Sequence, residues 1–153
     1  DGVLHRAFSV FIVSEDGEQI LIQKRQRQKL FGDLWANTCC SHPKNPEQPI
    51  EEQAAQRLEE ECGFPAPPLH IADAFVYQAK DTVHEGCEYE YDTVLTGTVA
   101  VDAIELHPNA LEVSELRCMS LAEIQVALDE RPEEFAPWFA PALEIALSDP
   151  MLP

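Results

Sequence analysis

Residues 7–24 decide the fold; they read AFSVFIV (7–13), SEDGE (14–18) and QILIQK (19–24). Asp16-Gly17 is a strong hairpin-turn signal between two runs of β-forming residues. Apolar side chains occupy both parities of the first run, as expected for a strand that is covered on both faces. These are Phe8, Val10 and Ile12 on one parity, and Phe11 and Val13 on the other. The segment therefore predicts a hairpin in a central sheet with a layer on each side.

The rest of the chain supplies those layers. Residues 50–62 place Ile50, Ala54, Leu58 and Cys62 four apart and end at Gly63, which predicts a helix after a polar loop over 41–49. Further strands are predicted over 69–77, 88–101 and 113–119, and helices over 120–129, which begins with a capping box, and over 137–147. We therefore predict a single α/β (α+β) domain over 1–153, with a mixed β-sheet sandwiched between helices.

Charge and composition exclude several classes of function. The chain has 10 Lys and Arg against 28 Asp and Glu, a formal net charge of −18, which argues against nucleic-acid binding and against anionic membranes. It has no apolar run of membrane-spanning length and no secretory signal at its start, so we expect no membrane insertion and a cytoplasmic protein. The 5 cysteines are expected to be reduced.

Residues 35–43 (WANTCCSHP) gather thiols, an imidazole and an indole. The structural interpretation is that Cys39 and Cys40 are small buried residues and that Trp35 belongs to the core. A second interpretation is a Cys-His nucleophile pair formed by Cys40 and His42, which is disfavoured because the base usually comes from elsewhere in the fold. The residues alone leave both open.

Acidic side chains alternate with aromatic ones in residues 88–92 (EYEYD). In a strand, Glu88 and Glu90 project from one face about 7 Å apart. They form either a solvated acidic face or, with His5 and His42, the ligands of a Zn, Mn or Mg ion. On the predicted helix, Arg57 and Glu61 are four apart, so the default is an ordinary salt bridge.

Residues 58–64 (LEEECGF) match the end of the Nudix box, in which helix-borne glutamates hold Mg²⁺ against a diphosphate. The box calls for a glutamate where Arg57 stands, which replaces a metal ligand by a phosphate-binding fork. Four cations in residues 24–29 (KRQRQK) form the most basic short segment of the chain, which is either a solvated strand end or a phosphate-binding segment.

Taken together, these motifs resemble the type 1 isopentenyl-diphosphate isomerase family, over residues 4 to about 143. The matching segments are LHRAFS (4–9), NTCCSHP (37–43), FVY (75–77), EYE (88–90) and APW (136–138). The resemblance implies a Nudix-like fold, an isoprenyl diphosphate as small-molecule substrate, Mg²⁺ bound with the diphosphate, and one divalent ion, Mg²⁺, Mn²⁺ or Zn²⁺, at a His/Glu site. It assigns Cys40, Glu90, Tyr77 and Trp138 as catalytic residues, and His5, His42, Glu88, Glu90 and Glu61 as metal ligands. Of the family's basic residues around the diphosphate, one matches Lys24 and another falls on Gln28, beside Lys29; with the phosphate-binding fork of Arg57, the expected diphosphate-binding residues are Lys24, Lys29 and Arg57.

The implied reaction, in isoprenoid biosynthesis, moves a C=C bond through a tertiary carbocation. Glu90 is expected to protonate the alkene beside Tyr77, Cys40 to remove a proton from the opposite face, and Trp138 to shelter the cation. The alternatives are a Nudix hydrolase of a nucleoside-diphosphate derivative and a catalytically silent diphosphate binder. We expect a monomer or weak dimer. A further histidine ligand and a lysine of the family lie ahead of Asp1, so a short N-terminal segment is expected to be missing.

Overall fold

The computed structural model describes residues 2–153 and confirms the opening hairpin. Strand β1 (His5–Ser14) pairs antiparallel with β2 (Gln19–Arg25), with Ile12 opposite Leu21. The turn closes with the Gly17 N–H donating to the Ser14 carbonyl at 2.9 Å, and Gly17 takes a φ of +76°, which glycine adopts without steric cost. Asp16-Gly17 is therefore the turn that the sequence predicted.

A mixed sheet of seven strands forms within residues 2–153. Strand β1 is at its centre: it pairs parallel with β6 and antiparallel with β2 and with the short β4. The path through the sheet runs β3-β2-β1-β6-β5, with β7 added to β2. The remaining strands are β3 (Trp35–Ala36), β4 (Cys39–Ser41), β5 (His70–Asp81), β6 (Gly86–Val99) and β7 (Val113–Ser120).

Three α-helices, in residues 2–153, cover the sheet: α1 (Ile50–Cys62), α2 (Leu121–Glu130) and α3 (Phe139–Leu147). Helix α1 ends as predicted at Gly63, whose N–H donates to the Glu59 carbonyl and whose left-handed φ of 77° turns the following chain out of the helix. Helix α2 begins with Ser120 Oγ accepting the Glu123 N–H at 3.1 Å. A short 3₁₀ turn, Pro132–Glu134, precedes α3, which starts at Phe139 and not at Pro137 as predicted.

The two parities of β1 enter separate cores. Phe8, Val10 and Ile12 pack with the apolar stripe of α1, whereas Phe11 and Val13 pack with α2 and α3. Each such side chain contributes about 1.5–3 kcal/mol when it is fully buried. This two-sided burial fixes the register of β1 and hence of the residues at its amino end. In the described part of the chain, no helix combines the length and the apolarity needed to cross a bilayer.

Candidate active site

Strand register brings three of the predicted residues side by side. Glu90 on β6 is the ladder partner both of Tyr77 on β5 and of His5 on β1. Residues that are paired in this way lie on the same face of a sheet, about 5 Å apart. A slip of one residue would send Glu90 to the other face, so the buried core of β1 also fixes this row.

His5, His42, Glu88 and Glu90 form one compact cluster, in which the possible ligand atoms all lie within 4.8 Å of one another. The Oε2 atom of Glu90 is 3.0 Å from Nε2 of His5 and 3.2 Å from Nδ1 of His42. Oε2 of Glu88 is 3.4 Å from the same nitrogen of His5. The sequence predicted this set of four, and the structure brings all four together.

The charges of this cluster fit a divalent cation. Burial and the adjacent Glu90 carboxylate raise the pKa of Glu88 to about 7, because two buried acids resist ionising together. Two imidazoles and two carboxylates are a donor set that suits divalent ions such as Zn²⁺ or Mn²⁺. The side chains of His5 and His42 are 42% and 48% exposed, so the cluster opens to solvent on one side. The residues present therefore fit a metal ion, without selecting which.

Glu90 uses its two oxygens differently. While Oε2 faces the imidazoles, Oε1 accepts a short hydrogen bond from the Tyr77 hydroxyl. Burial and the neighbouring Glu90 carboxylate raise the pKa of Tyr77, which keeps this hydroxyl protonated. The Tyr77 ring lies 5.8 Å from the ring of Trp138, whose indole N–H donates to Asn37 Oδ1 at 2.9 Å. Glu90 thus connects the cluster to an aromatic wall.

Cys40 lies on the same cavity as Glu90, whereas Cys39 lies in the core under α1. Burial raises the pKa of the Cys40 thiol to about 11, although the Arg25 guanidinium favours the thiolate. Arg25 donates from Nη1 to Cys40 Sγ at 3.1 Å and stacks 5.0 Å from the centre of the Trp138 ring. Sequence reasoning missed Arg25. The signal that could have found it is strand alternation, because Lys24 and Arg25 are neighbours on β2 and their side chains point to opposite faces of the sheet.

One open cavity joins these groups. Its wall combines aromatic and apolar side chains with charged and hydroxyl groups that can orient a small molecule. Its lining comprises Ala7, Phe8, Ser9, Arg25, Cys40, Ser41, His42, Tyr77, Glu88, Glu90 and Trp138. All four residues predicted to be catalytic therefore meet at one cavity.

The structure does not bring the predicted diphosphate-binding cations together there. The Lys24 ammonium lies 5.9 Å from the centre of the Trp35 ring, away from Cys40. Lys29 and Arg57 both donate to Oε2 of Glu112, at 2.5 and 3.0 Å, and Arg57 also donates to Glu61 at 2.7 Å. We call Lys29, Arg57, Glu61 and Glu112 the paired network.

A second open cavity adjoins the first. The two cavities share Phe8, Ser41 and His42 in their walls, and the second adds Lys44 and Arg57. Glu61, the remaining predicted metal ligand, lies outside the cluster of four; it is 1% exposed and is held by Arg57 and by Gln23 Nε2 at 3.0 Å.

Comparison with known proteins identifies the family to which this chain belongs. The NUDIX domain family matches residues 3–139. The chain is 41% identical to the isopentenyl-diphosphate Delta-isomerase of Nocardia farcinica, over 95% of this chain and 80% of that protein. It is 38% identical to the enzyme of the same name from Halorhodospira halophila, over 90% of this chain and 77% of that protein.

Solved structures agree on the fold. A MutT protein from Methanosarcina mazei superposes with a TM-score of 0.72 over 98% of both chains, at 16% sequence identity. At that identity the similarity establishes the architecture alone.

Proposed function

Because this chain belongs to the NUDIX family and, within it, to the isopentenyl-diphosphate Delta-isomerases, we propose that it interconverts isopentenyl and dimethylallyl diphosphate. The observation that carries the proposal is the meeting of Glu90, Tyr77, Cys40 and Trp138 at one cavity beside a metal-binding cluster. A hydrolase that only transfers a phosphoryl group to water has no use for a thiol and a carboxyl group in one cavity with aromatic side chains in its wall.

Glu90 and Tyr77 are proposed to deliver the proton. Glu90 is 5% exposed, and its Oε1 accepts a hydrogen bond from the Tyr77 hydroxyl at the edge of the cavity. Protonating C4 of the alkene makes a tertiary cation at C3, which needs a strong acid in a dry place. When bound, a divalent ion at the cluster supplies positive charge that offsets Glu88 and Glu90 and increases the acidity of nearby protons.

Cys40 is proposed to accept the proton lost from C2. Its sulfur lies in the cavity wall 3.1 Å from Nη1 of Arg25, whose positive charge favours the thiolate; the thiolate takes the C2 proton and becomes the thiol. Trp138, 4% exposed, offers the cation an indole face without a nucleophile that would trap it. Proton delivery and removal thus belong to separate groups, as shifting a double bond requires.

The diphosphate is proposed to occupy the second cavity, which is lined by Arg57. His42 belongs both to this cavity and to the metal-binding cluster, so the two sites are adjacent. Lys29 is linked to Arg57 because both donate to Glu112, and it is proposed to bind the diphosphate with Arg57. The Mg²⁺ bound with the diphosphate is proposed to use Glu61. Both roles require Arg57 to turn from the two glutamates toward the substrate. Lys24 has no part in this arrangement.

We further propose a cytoplasmic monomer or weak dimer that acts on a small molecule and not on nucleic acid. Light scattering across a concentration series measures the oligomeric state. The molecular mass of a dimer, measured even at the lowest concentration, would contradict this part of the proposal.

The test is to incubate the protein with isopentenyl diphosphate and Mg²⁺ and to identify the product by NMR. Dimethylallyl diphosphate is expected. Released phosphate would instead support a hydrolase, and recovery of the unchanged substrate would support a silent binder.

The two adjacent cysteines provide a matched pair for the thiol. Cys40→Ser is expected to lower kcat by roughly 10²–10⁴-fold, the usual contribution of a positioned general base. Cys39→Ser places a hydroxyl in the core under α1, so it should lower the melting temperature and leave kcat nearly unchanged. Equal losses of kcat in the two variants would remove Cys40 from the mechanism.

A further inference from the structure

A single peptide group, between Leu30 and Phe31, bridges two charged side chains. On one side the Leu30 carbonyl accepts from Arg25 Nε at 3.0 Å and from Nη2 at 2.8 Å. On the other side the Phe31 N–H donates to Asp81 Oδ2 at 2.7 Å. The N–H and the carbonyl of a trans peptide point in opposite directions from one rigid plane. The cation and the anion therefore fix that plane from both sides.

The Arg25 side of this peptide lies at the cavity lined by Cys40, Glu90 and Trp138, which we call the reactive cavity. The same guanidinium that holds Leu30 donates to Cys40 Sγ and stacks on Trp138. The Phe31 ring, 6% exposed, also meets Trp138 edge-on, with 5.5 Å between ring centres. Shifting this peptide would move a cation and an aromatic wall together.

The Asp81 side is anchored to the turn between β5 and β6. Asp81 is 6% exposed and accepts the N–H of Val83 at 2.9 Å and Nδ1–H of His84 at 2.7 Å, besides that of Phe31. Nε2 of His84 lies 2.8 Å from the Arg27 carbonyl, so the turn holds the loop over residues 26–34 at two points. Although burial opposes it, these hydrogen bonds lower the pKa of Asp81 to about 2.

The backbone of this loop needs such an anchor. Phe31 and Asp33 take φ values of 57° and 64°, a left-handed region that costs a residue with a side chain on the order of 1 kcal/mol or more. Gly32 lies between them, and a Cβ there would meet the Arg27 carbonyl oxygen at 2.3 Å. A strained loop beside a cavity is kept in place by its surroundings, and Asp81 is the buried acid that bonds to it.

We propose that Asp81 is a positioning residue of the isomerisation: through the Leu30–Phe31 peptide it holds Arg25 on Cys40 and Phe31 on Trp138, and so keeps water from entering through this wall of the open cavity. The inference rests on the proposed function for its chemical consequence. Its structural part, the clamp, stands independently of turnover.

Water in the cavity changes the product. After C4 is protonated, the cation at C3 either loses a proton from C2 to give dimethylallyl diphosphate, or bonds to water at C3 and then loses a proton from that oxygen. The second route gives a tertiary alcohol, 3-hydroxy-3-methylbutyl diphosphate. The fraction of alcohol therefore reports how dry the cavity is.

The test compares Asp81→Asn with Asp149→Asn. Asp149 is a matched control, since it is 7% exposed, accepts from Thr96 Oγ1 at 2.5 Å and from the Met151 N–H, and lines no part of the reactive cavity. In Asp81→Asn, kcat is expected to fall roughly 10- to 100-fold, as for displaced positioning groups, with a larger fall in kcat than rise in KM and with alcohol detectable by ¹³C NMR. Identical kcat and product ratios in the two variants would overturn the proposal.

An activity-independent readout separates this inference from the proposed function. The chain has 2 tryptophans, so in a Trp35→Phe background Trp138 is the sole indole. Asp81→Asn should shift its emission to longer wavelength as Phe31 and Arg25 loosen, and Asp149→Asn should not. If Asp81→Asn fails to fold, His84→Gln, which keeps the Asp81 charge and removes one donor, should give a smaller shift. Unchanged emission in the folded variant would contradict the clamp, even if the wild type catalyses the isomerisation. A shift in emission would support the clamp, even if the wild type has no isomerase activity.

Discussion

The metal-binding cluster (His5, His42, Glu88 and Glu90) and the paired network each contain two glutamates, yet their charges are balanced in opposite ways. In the paired network, hydrogen bonds and charges from Lys29 and Arg57 outweigh burial and lower the pKa of Glu112. In the cluster, burial and Glu90 raise the pKa of Glu88 to about 7, since nearby imidazoles offset little of the charge. The network contains its own cations, whereas the four residues of the cluster fit a cation taken from solution.

The largest effect should follow from removing one acid of each region. Glu90→Gln removes the proton donor and should lower kcat by at least roughly 10²–10⁴-fold, the range for a general acid. Glu112→Gln only weakens a pair of salt bridges, so kcat should remain within the same order as the wild type while KM changes. Steady-state kinetics with isopentenyl diphosphate measures both. A Glu90→Gln enzyme that keeps its kcat would show that the acid lies elsewhere.

Breaking the paired network should cost stability. Arg57→Gln leaves the Glu61 carboxylate, 1% exposed, without its cation, and removing a partner from a buried pair costs about 3–5 kcal/mol. Arg131→Gln is the matched control, because it breaks exposed contacts with Glu130 and Glu134 that are worth about 0–1 kcal/mol. Urea unfolding curves give both values. Equal losses would mean that the network is not buried as described.

The cluster should respond in the reverse sense. In chelated protein at pH 8, Glu88→Gln should raise the melting temperature, because it removes a charge that is unfavourable above its folded pKa of about 7. Adding Mn²⁺ or Zn²⁺ should stabilise the wild type more than this variant. Differential scanning fluorimetry with and without metal measures both responses. A variant that is less stable without metal and equally stabilised with it would contradict a metal site at Glu88.

The smallest expected effect on stability is that of Asp81, an acid that is held by N–H donors alone. Its folded pKa of about 2 lies below the ordinary 3.8, so the stability it contributes is present above pH 3.8 and is lost as the pH falls through 2. The loss amounts to about 2 kcal/mol. Unfolding of wild type and Asp81→Asn should therefore differ at pH 5 and converge near pH 2. A difference that persists at pH 2 would trace to packing instead.

Local patterns predicted what local physics determines. The hairpin at Asp16-Gly17, helix α1 ending at Gly63 and the two-sided burial of β1 depend on neighbours along the chain. The cluster was also within reach, because His5, His42, Glu88 and Glu90 stood in recognisable segments and the register of β1 with β6 joined them.

Long-range partners were out of reach. The Asp81 contact with Phe31 spans 50 residues, that of Glu112 with Lys29 spans 83, and no spacing rule connects them. Arg25 was missed for another reason: sequence alone did not say which cation of residues 24–29 faced Cys40, and the prediction considered these cations only for the diphosphate, to which it assigned Lys24 and Lys29. Adjacent residues of a strand point to opposite faces, so a single position decides between cavity and surface.

The most direct test of the account is isomerisation in D₂O, followed by proton and deuterium NMR. If Glu90 protonates C4 from an exchangeable group and Cys40 removes a proton from C2, the dimethylallyl diphosphate formed must carry deuterium in the methyl group derived from C4, and Glu90→Gln must form almost none. Dimethylallyl diphosphate without deuterium at that methyl group, or inorganic phosphate as the main product, would contradict the account.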